Sequence, residues 1–202
     1  MMDSQSVVYV VDDDASVRKS LGRLIRSVEL SVKTFSSARE FLSYDLPDRQ
    51  GCLLLDIEMP DISGLDLQEQ LTIHKRSLPI IFISGFSSIP KSVQAMKAGA
   101  VDFLEKPFIP EILLAAIYRA INHDIQYRRI NDELAATRKI SESLSLRERE
   151  VFDLVVTGML NKQVAFQLGI TEGTIKVHRA HVMQKMGVTS LPDLVRLAER
   201  LK

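Results

Sequence analysis

Short β-rich runs alternate with helix-period segments through the first half of the chain, and that alternation leaves few folds open. Val7 to Val11, Ser31 to Phe35, Cys52 to Leu55, Pro79 to Ser84 and Val101 to Leu104 read as five strands. Between them Val17, Leu21, Leu24, Ile25 and Val28 give one amphipathic helix, Leu65, Leu67 and Leu71 a second, and Val93 with Met96 a third. Strands joined through helices of this length require right-handed crossovers and a parallel sheet. The expectation is an α/β, doubly wound, five-stranded parallel domain.

In such a sheet, ligands bind beyond the carboxyl ends of the strands. Asp12 and Asp13 follow the first strand, Asp56 the third, Ser84 ends the fourth, and Lys106 follows the fifth. Each has an ordinary structural role when taken alone. Asp14, next to the first pair, is the best N-cap of the helix that follows. Asp56 could hold the turn before Met59-Pro60-Asp61, Ser84 beside Gly85 is a turn residue, and a lone lysine is usually a solvated charge. Five such residues at one edge are better explained together. Crowded carboxylates repel by about 4 kcal/mol per close pair at an intermediate dielectric, so the cluster calls for a divalent, oxygen-seeking cation. Asp56 can then attack an activated phosphoryl group while the Lys106 ammonium and the Ser84 hydroxyl draw charge onto themselves.

Residues 7 to 122 resemble the receiver domain of two-component response regulators. The paired acids Asp12 and Asp13, the segment Asp56-Ile-Glu-Met-Pro-Asp-Ile-Ser-Gly64, Ser84 and Lys106-Pro107 carry the likeness, in that order along the chain. The resemblance implies a flavodoxin-like domain phosphorylated on Asp56 by a partner histidine kinase. It also implies Mg²⁺, or Mn²⁺, at Asp13, Asp56 and the Glu58 carbonyl, with Asp12 helping through water. Ser84 and Phe103 become the switch pair, Phe103 occupying the place of an aromatic that rotates inward on phosphorylation, though plain core packing is the commoner role of a strand aromatic. The loop Ser84-Gly-Phe-Ser-Ser departs from the His-containing loop of many relatives. A second likeness competes: Asp12-Asp-Asp14 with Ser84 and Lys106 imitates haloacid-dehalogenase-type phosphatases, with Asp12 as nucleophile. That family needs a further acidic pair beyond the lysine, whereas here Pro107 leads into a long helical segment. The expectation is therefore a regulator and not an enzyme.

From Glu111 the chain has no proline until Pro192 and no glycine until Gly158, so the helix starting near Pro110 can run well past the first domain. Its stripe Ile112, Leu113, Ala116, Ile117, Ala120, Ile121 and Ile125 thins at Arg128, Arg129, Asp132 and Glu133. The expected organisation is a receiver over 1–122, a helical linker over 123–143 and a second, all-α domain over 144–202.

In that last segment Ser145 can cap a helix with Glu148, and three or four short helices follow from periodicity and the stops at Gly158, Gly169 and Gly187. Two helices joined by a glycine-containing turn suit a helix-turn-helix. On the third, Ile175, Val182 and Met186 point one way; Lys176, Val177, Ala180 and Gln184 point the other and are available to DNA. Charge supports this division. Residues 1–122 hold 13 Lys/Arg against 16 Asp/Glu, and residues 145–202 hold 9 against 6. Few aromatics follow Tyr127, which argues against a single-stranded RNA platform, and His178 with His181 lacks metal-ligand spacing.

Residues 145–202 resemble the LuxR-type helix-turn-helix domain through Leu146-Arg-Glu-Arg-Glu-Val151, Asn161-Lys162, Thr174-Ile-Lys-Val-His178 and Lys185, and the whole architecture resembles FixJ/NarL-type response regulators. By that likeness Lys176 and Val177 face bases, while Asn161, Lys162, Thr174 and Arg179 hold the phosphate backbone of double-stranded promoter DNA. Dimeric regulators of this kind use the face of the fourth helix and fifth strand. Here that face carries Val93, Lys97 and Asp102, giving an expected homodimer when phosphorylated, with RNA polymerase as a further partner. The competing reading keeps the phosphorylated receiver but has the helical tail bind protein. The lone Cys52 allows no disulfide within one chain, and no apolar run suits a signal peptide or membrane span, so the expected location is cytoplasmic.

Overall fold

The computed structural model describes residues 6–73, 78–85 and 89–201. The chain divides into two compact units, Met1–Tyr127 and Arg128–Lys202. The helix that was expected to start near Pro110 runs unbroken over Pro110–Glu142 and supplies residues to both.

In the first unit five strands, β1 (Val7–Val11), β2 (Ser31–Phe35), β3 (Gly51–Asp56), β4 (Ile80–Ser84) and β5 (Asp102–Glu105), form one parallel sheet in the order β2-β1-β3-β4-β5. The sequence places every strand to within a residue or so of its ends. Between them lie α1 (Ala15–Ser27), α2 (Ala38–Ser43), α3 (Gly64–Ile73) and α4 (Ile89–Lys97), and α5 (Pro110–Glu142) follows. The six-residue α2 was not anticipated. It buries only Ala38 and Phe41, too few positions to show a period, and rests on the Ser37 cap of the Glu40 N–H.

Alternation along the central strands sends side chains to both faces. Val8, Val10, Leu54 and Ile83 join Leu21 and Ile25 of α1 and Leu113, Ile117 and Ile121 of α5 in one apolar layer. Tyr9, Val11, Leu53, Leu55 and Phe82 join Phe41, Leu67 and Ala95 in the other. Full burial of a large aliphatic side chain is worth about 1.5–3 kcal/mol, so the two layers fix the sheet against slippage. Cys52 lies in the first layer, and burial raises its thiol pKa. At the amino edge of the sheet, the Asp124 carboxylate of α5 accepts the Gly51 N–H at 2.9 Å.

The second unit contains α6 (Leu146–Val155), α7 (Asn161–Leu168), α8 (Glu172–Lys185) and α9 (Leu191–Leu201). Val151, Phe152, Val155, Val164, Ile175, Val182, Met186 and Leu194 form its core. Ser145 and Glu148 make the expected reciprocal cap at the start of α6. Gly169 ends α7 with φ of +67°, a conformation costly for residues with a Cβ, and Thr171 opens α8 by accepting the Thr174 N–H. No helix among the described residues is long and apolar enough to cross a membrane.

Candidate functional site

β1 and β3 are neighbours, with Val11 level with Leu55, so the next residue of each, Asp12 and Asp56, emerge side by side at the carboxyl edge. The edge of β5 reaches the same place because the Lys106 N–H donates to the Ser84 carbonyl at 2.7 Å. The Lys106 ammonium then donates to Asp12 Oδ2 at 2.7 Å and to Asp56 Oδ2 at 2.8 Å. Asp13 completes the cluster: one carboxylate oxygen from each of Asp12, Asp13 and Asp56 lies within 4.8 Å of the others. Three carboxylates face one ammonium, leaving two negative charges unmatched if all are ionised.

The local backbone is built to hold these groups. Asp14 caps α1 as expected, accepting from the Ser16 and Val17 N–H groups. Its own N–H donates to Asp12 Oδ1 at 2.8 Å, and the Arg18 guanidinium donates to the Asp12 carbonyl at 2.7 Å. The Glu58 N–H donates to Asp56 Oδ1 at 3.2 Å. Gly64 closes this loop. A Cβ there would sit 2.2 Å from the Asp56 carbonyl oxygen, so no larger residue permits the approach.

Burial raises the Asp12 pKa, outweighing the hydrogen bonds from Lys106 and the Asp14 N–H that pull it down. For Lys106 burial acts to lower the pKa, but the hydrogen bonds to Asp12 and Asp56 prevail and raise it. The lysine stays charged, whereas the innermost carboxylate lacks enough positive charge. An oxygen-lined, partly open cluster of this kind fits a divalent cation such as Mg²⁺ better than a closed cage does.

Ser84 is wholly buried at the end of β4, beside this cluster, and Phe103 pairs with Phe82 and packs partly buried in the layer that contains Ala95. Phe86 to Ser88 of the departing loop lie outside the described residues. On α4, Ile89, Val93 and Met96 form an exposed apolar stripe, with Lys97 exposed at its end. Asp102 already has partners in its own chain, the Arg119 guanidinium at 2.5 Å and the Phe103 N–H at 2.9 Å.

In the second unit α8 buries Ile175 and Val182, with Met186 buried at its C-cap, and exposes Lys176, Val177, Ala180 and Gln184, the division expected from its period. Lys176 lies 3.6 Å from Glu172 one turn before it. Asn161 and Lys162 open α7, where Asn161 Oδ1 accepts from the Arg179 guanidinium of α8 at 3.0 Å. Thr174 shares a hydroxyl hydrogen bond with Thr171 at 2.8 Å. The helices are held by Glu148, which accepts from Lys185 at 2.7 Å and from the Ser145 N–H at 2.8 Å. Those bonds take its pKa to about 2.

Residues 8–118 match the response regulator receiver domain model, and residues 142–198 match that of bacterial regulatory proteins of the luxR family. The chain is a response regulator of the FixJ/NarL type. The regulator is 50% identical over 202 residues to response regulator protein TodT of Pseudomonas putida, covering all of this chain and 89% of that one. It is 44% identical over 191 residues to the transcriptional regulatory protein FixJ of Rhizobium meliloti, covering 95% and 94% of the two chains. The solved response regulator StyR superposes with a TM-score of 0.84 at 45% identity, over 97% of the regulator and 99% of StyR. Full-length FixJ from B. japonicum gives 0.58 at 38% identity over 96% of each. The regulator thus joins a receiver domain to a LuxR-type DNA-binding domain and acts in transcription.

Several contacts of the regulator escaped sequence reasoning. Lys91 pairs with Glu58, and Arg18 holds the Asp12 backbone. Neither residue sits in a periodic or motif position that would have set it apart. Lys185 belongs to the quoted LuxR-type likeness, but its partner Glu148, 37 residues away, is visible only in the fold.

Proposed function

We propose that the regulator takes a phosphoryl group on Asp56 from a partner histidine kinase, and that this controls dimerisation and sequence-specific binding to promoter DNA. The observation that carries the reading is the Lys106 ammonium bridging Asp12 and Asp56 beside Asp13. One Asp56 oxygen attacks the donor phosphorus, an O–P bond forms to the carboxylate, and the donor's own bond to phosphorus breaks with its electron pair leaving on the donor. Lys106 offers its charge to the phosphoryl oxygens, and the Glu58 N–H steadies the second Asp56 oxygen. Asp12, Asp13 and Asp56, with the Glu58 carbonyl, would hold Mg²⁺ or Mn²⁺, which supplies charge neutralisation for the carboxylates and the incoming phosphoryl oxygens.

A phosphoryl group adds about −1.5 to −2 charges at this edge. Ser84 and Lys106 are the groups placed to respond, and Phe103 is the side chain that can follow Ser84. The face altered would include α4, whose exposed Ile89, Val93 and Met96 stripe suits pairing with a second copy, flanked by Lys97. Asp102 would enter such a contact as an Arg119 pair and not as a bare carboxylate. Two copies would set two α8 helices on neighbouring half-sites. There Lys176 and Val177 would read bases, and Asn161, Lys162, Thr174 and Arg179 would hold phosphates.

The test is acetyl phosphate with Mg²⁺, followed by intact-mass measurement and sedimentation. The reading expects one phosphoryl group per wild-type chain, none on Asp56→Asn, and a monomer-to-dimer shift on labelling that Val93→Asp prevents. Stoichiometric labelling of Asp56→Asn would overturn the assignment.

A further inference from the structure

Glu58 stands two residues past Asp56, and its N–H binds an Asp56 oxygen, so a carboxylate is tethered to the mouth of the candidate phosphoacceptor site. Its side chain is not left facing that mouth alone. The Lys91 ammonium, from the first turn of α4, meets Glu58 Oε1 at 2.8 Å. The side chains are 42% and 48% exposed, so the pair adds little to stability. Its consequence is electrostatic. An acyl phosphate or phosphohistidine donor brings negative charge to an edge that already holds three carboxylates and one bridging ammonium.

We propose that Lys91 is a positioning residue for phosphoryl uptake: it draws the Glu58 carboxylate onto α4 and neutralises it, so that an anionic donor can approach Asp56. The proposal rests on Asp56 as phosphoacceptor. In the assay reaction, an Asp56 oxygen forms the new bond to phosphorus, the bond from phosphorus to the acetyl oxygen breaks, and acetate leaves with the electron pair. Lys91 enters neither bond change. It acts through Glu58, and its removal leaves that carboxylate repelling the donor. Two charges on the donor against one on Glu58 across several ångströms of water amount to roughly RT or more, so the expected slowing is about three- to ten-fold.

The experiment measures the rate of labelling by acetyl phosphate and Mg²⁺ in the full chain, by intact mass, for wild type, Lys91→Ala, Glu58→Gln and the double variant. Lys91→Ala is expected to be slower than wild type by that factor at low salt, with the gap closing as ionic strength rises. The double variant is expected to match Glu58→Gln, because once the Glu58 charge is gone there is no repulsion of the donor for Lys91 to relieve. A merely structural role would give a defect indifferent to salt and would not be rescued by Glu58→Gln. If Lys91→Ala labels as fast as wild type, or if the double variant stays as slow as Lys91→Ala, the proposal is wrong. If wild type itself takes no label, the phosphoacceptor reading fails instead, and the two failures are told apart.

Discussion

Lys106 Nζ stands 2.8 Å from Asp56 Oδ2 and also holds buried Asp12, so one ammonium restrains the proposed nucleophile and its neighbour together. Lys106→Ala would leave those carboxylates crowded without their counter-charge. The expected loss is about 1–3 kcal/mol of stability at neutral pH without divalent cations. With the lysine gone, the bond that pulls the Asp12 pKa down is lost and burial is left to raise it further, so the folded state holds that proton more tightly than the unfolded chain does and stability recovers as pH falls. Urea unfolding of wild type and variant at neutral and mildly acidic pH checks this. A deficit that grows toward acid would contradict it.

Asp12→Asn should act in the opposite direction. Because burial raises the Asp12 pKa, ionising it at neutral pH costs folding free energy, and the neutral amide keeps its oxygen on the Asp14 N–H while giving up the Lys106 bond made at Oδ2. Without divalent cations the variant is expected to gain about 0.5–2 kcal/mol, while losing most of the stabilisation that Mg²⁺ gives wild type. Thermal melting with and without Mg²⁺ measures both. A variant less stable than wild type in chelator, or equally stabilised by Mg²⁺, would count against the cluster as described.

In the DNA-binding domain the Lys185 and Ser145 bonds bring Glu148 to a pKa of about 2, from an ordinary 4.5. A depressed carboxylate pKa stabilises the fold above the unfolded value, and that contribution is lost as pH falls from 4.5 toward 2. The carboxyl ¹³C shift of Glu148 should therefore stay that of a carboxylate through pH 4.5. Titration near the free-residue value of about 4.3 would show that the network does not hold. In Lys185→Ala the midpoint should move up toward that value.

Most of the fold was legible in the sequence because strand alternation and helix period are local signals. The runs Val7–Val11 and Ser31–Phe35 are read to the residue, and the inward stripe Ile175, Val182, Met186 follows from spacing alone. What escaped depends on pairs distant in sequence. Nothing near Lys91 announces that it meets Glu58, 33 residues earlier, and nothing near Asp102 shows that Arg119 has taken its carboxylate. The six-residue α2 escaped because it is shorter than two helical turns.

Lys176 and Lys162 should differ in kind as DNA contacts. Lys176 projects from the exposed face of α8, and Lys162 from the start of α7 beside the Asn161–Arg179 bond. Lys176→Ala is expected to weaken specific binding by about 1–3 kcal/mol and relax sequence preference. Lys162→Ala should weaken binding to all duplexes alike and make the salt dependence shallower. Titrations of selected and scrambled duplexes across a salt series measure both. Equal loss of specific and non-specific affinity in both variants would show that the roles are not divided this way.

The most direct measurement is the affinity of the 202-residue chain for a duplex selected from genomic DNA, before and after acetyl phosphate with Mg²⁺, in wild type and Asp56→Asn. Coupling of phosphorylation to DNA binding of about 1–3 kcal/mol gives a gain of roughly five- to 150-fold in wild type. The Asp56→Asn protein should bind like unphosphorylated wild type under both conditions. Wild-type affinity unchanged by stoichiometric phosphorylation, or an equal gain in Asp56→Asn, would contradict the account.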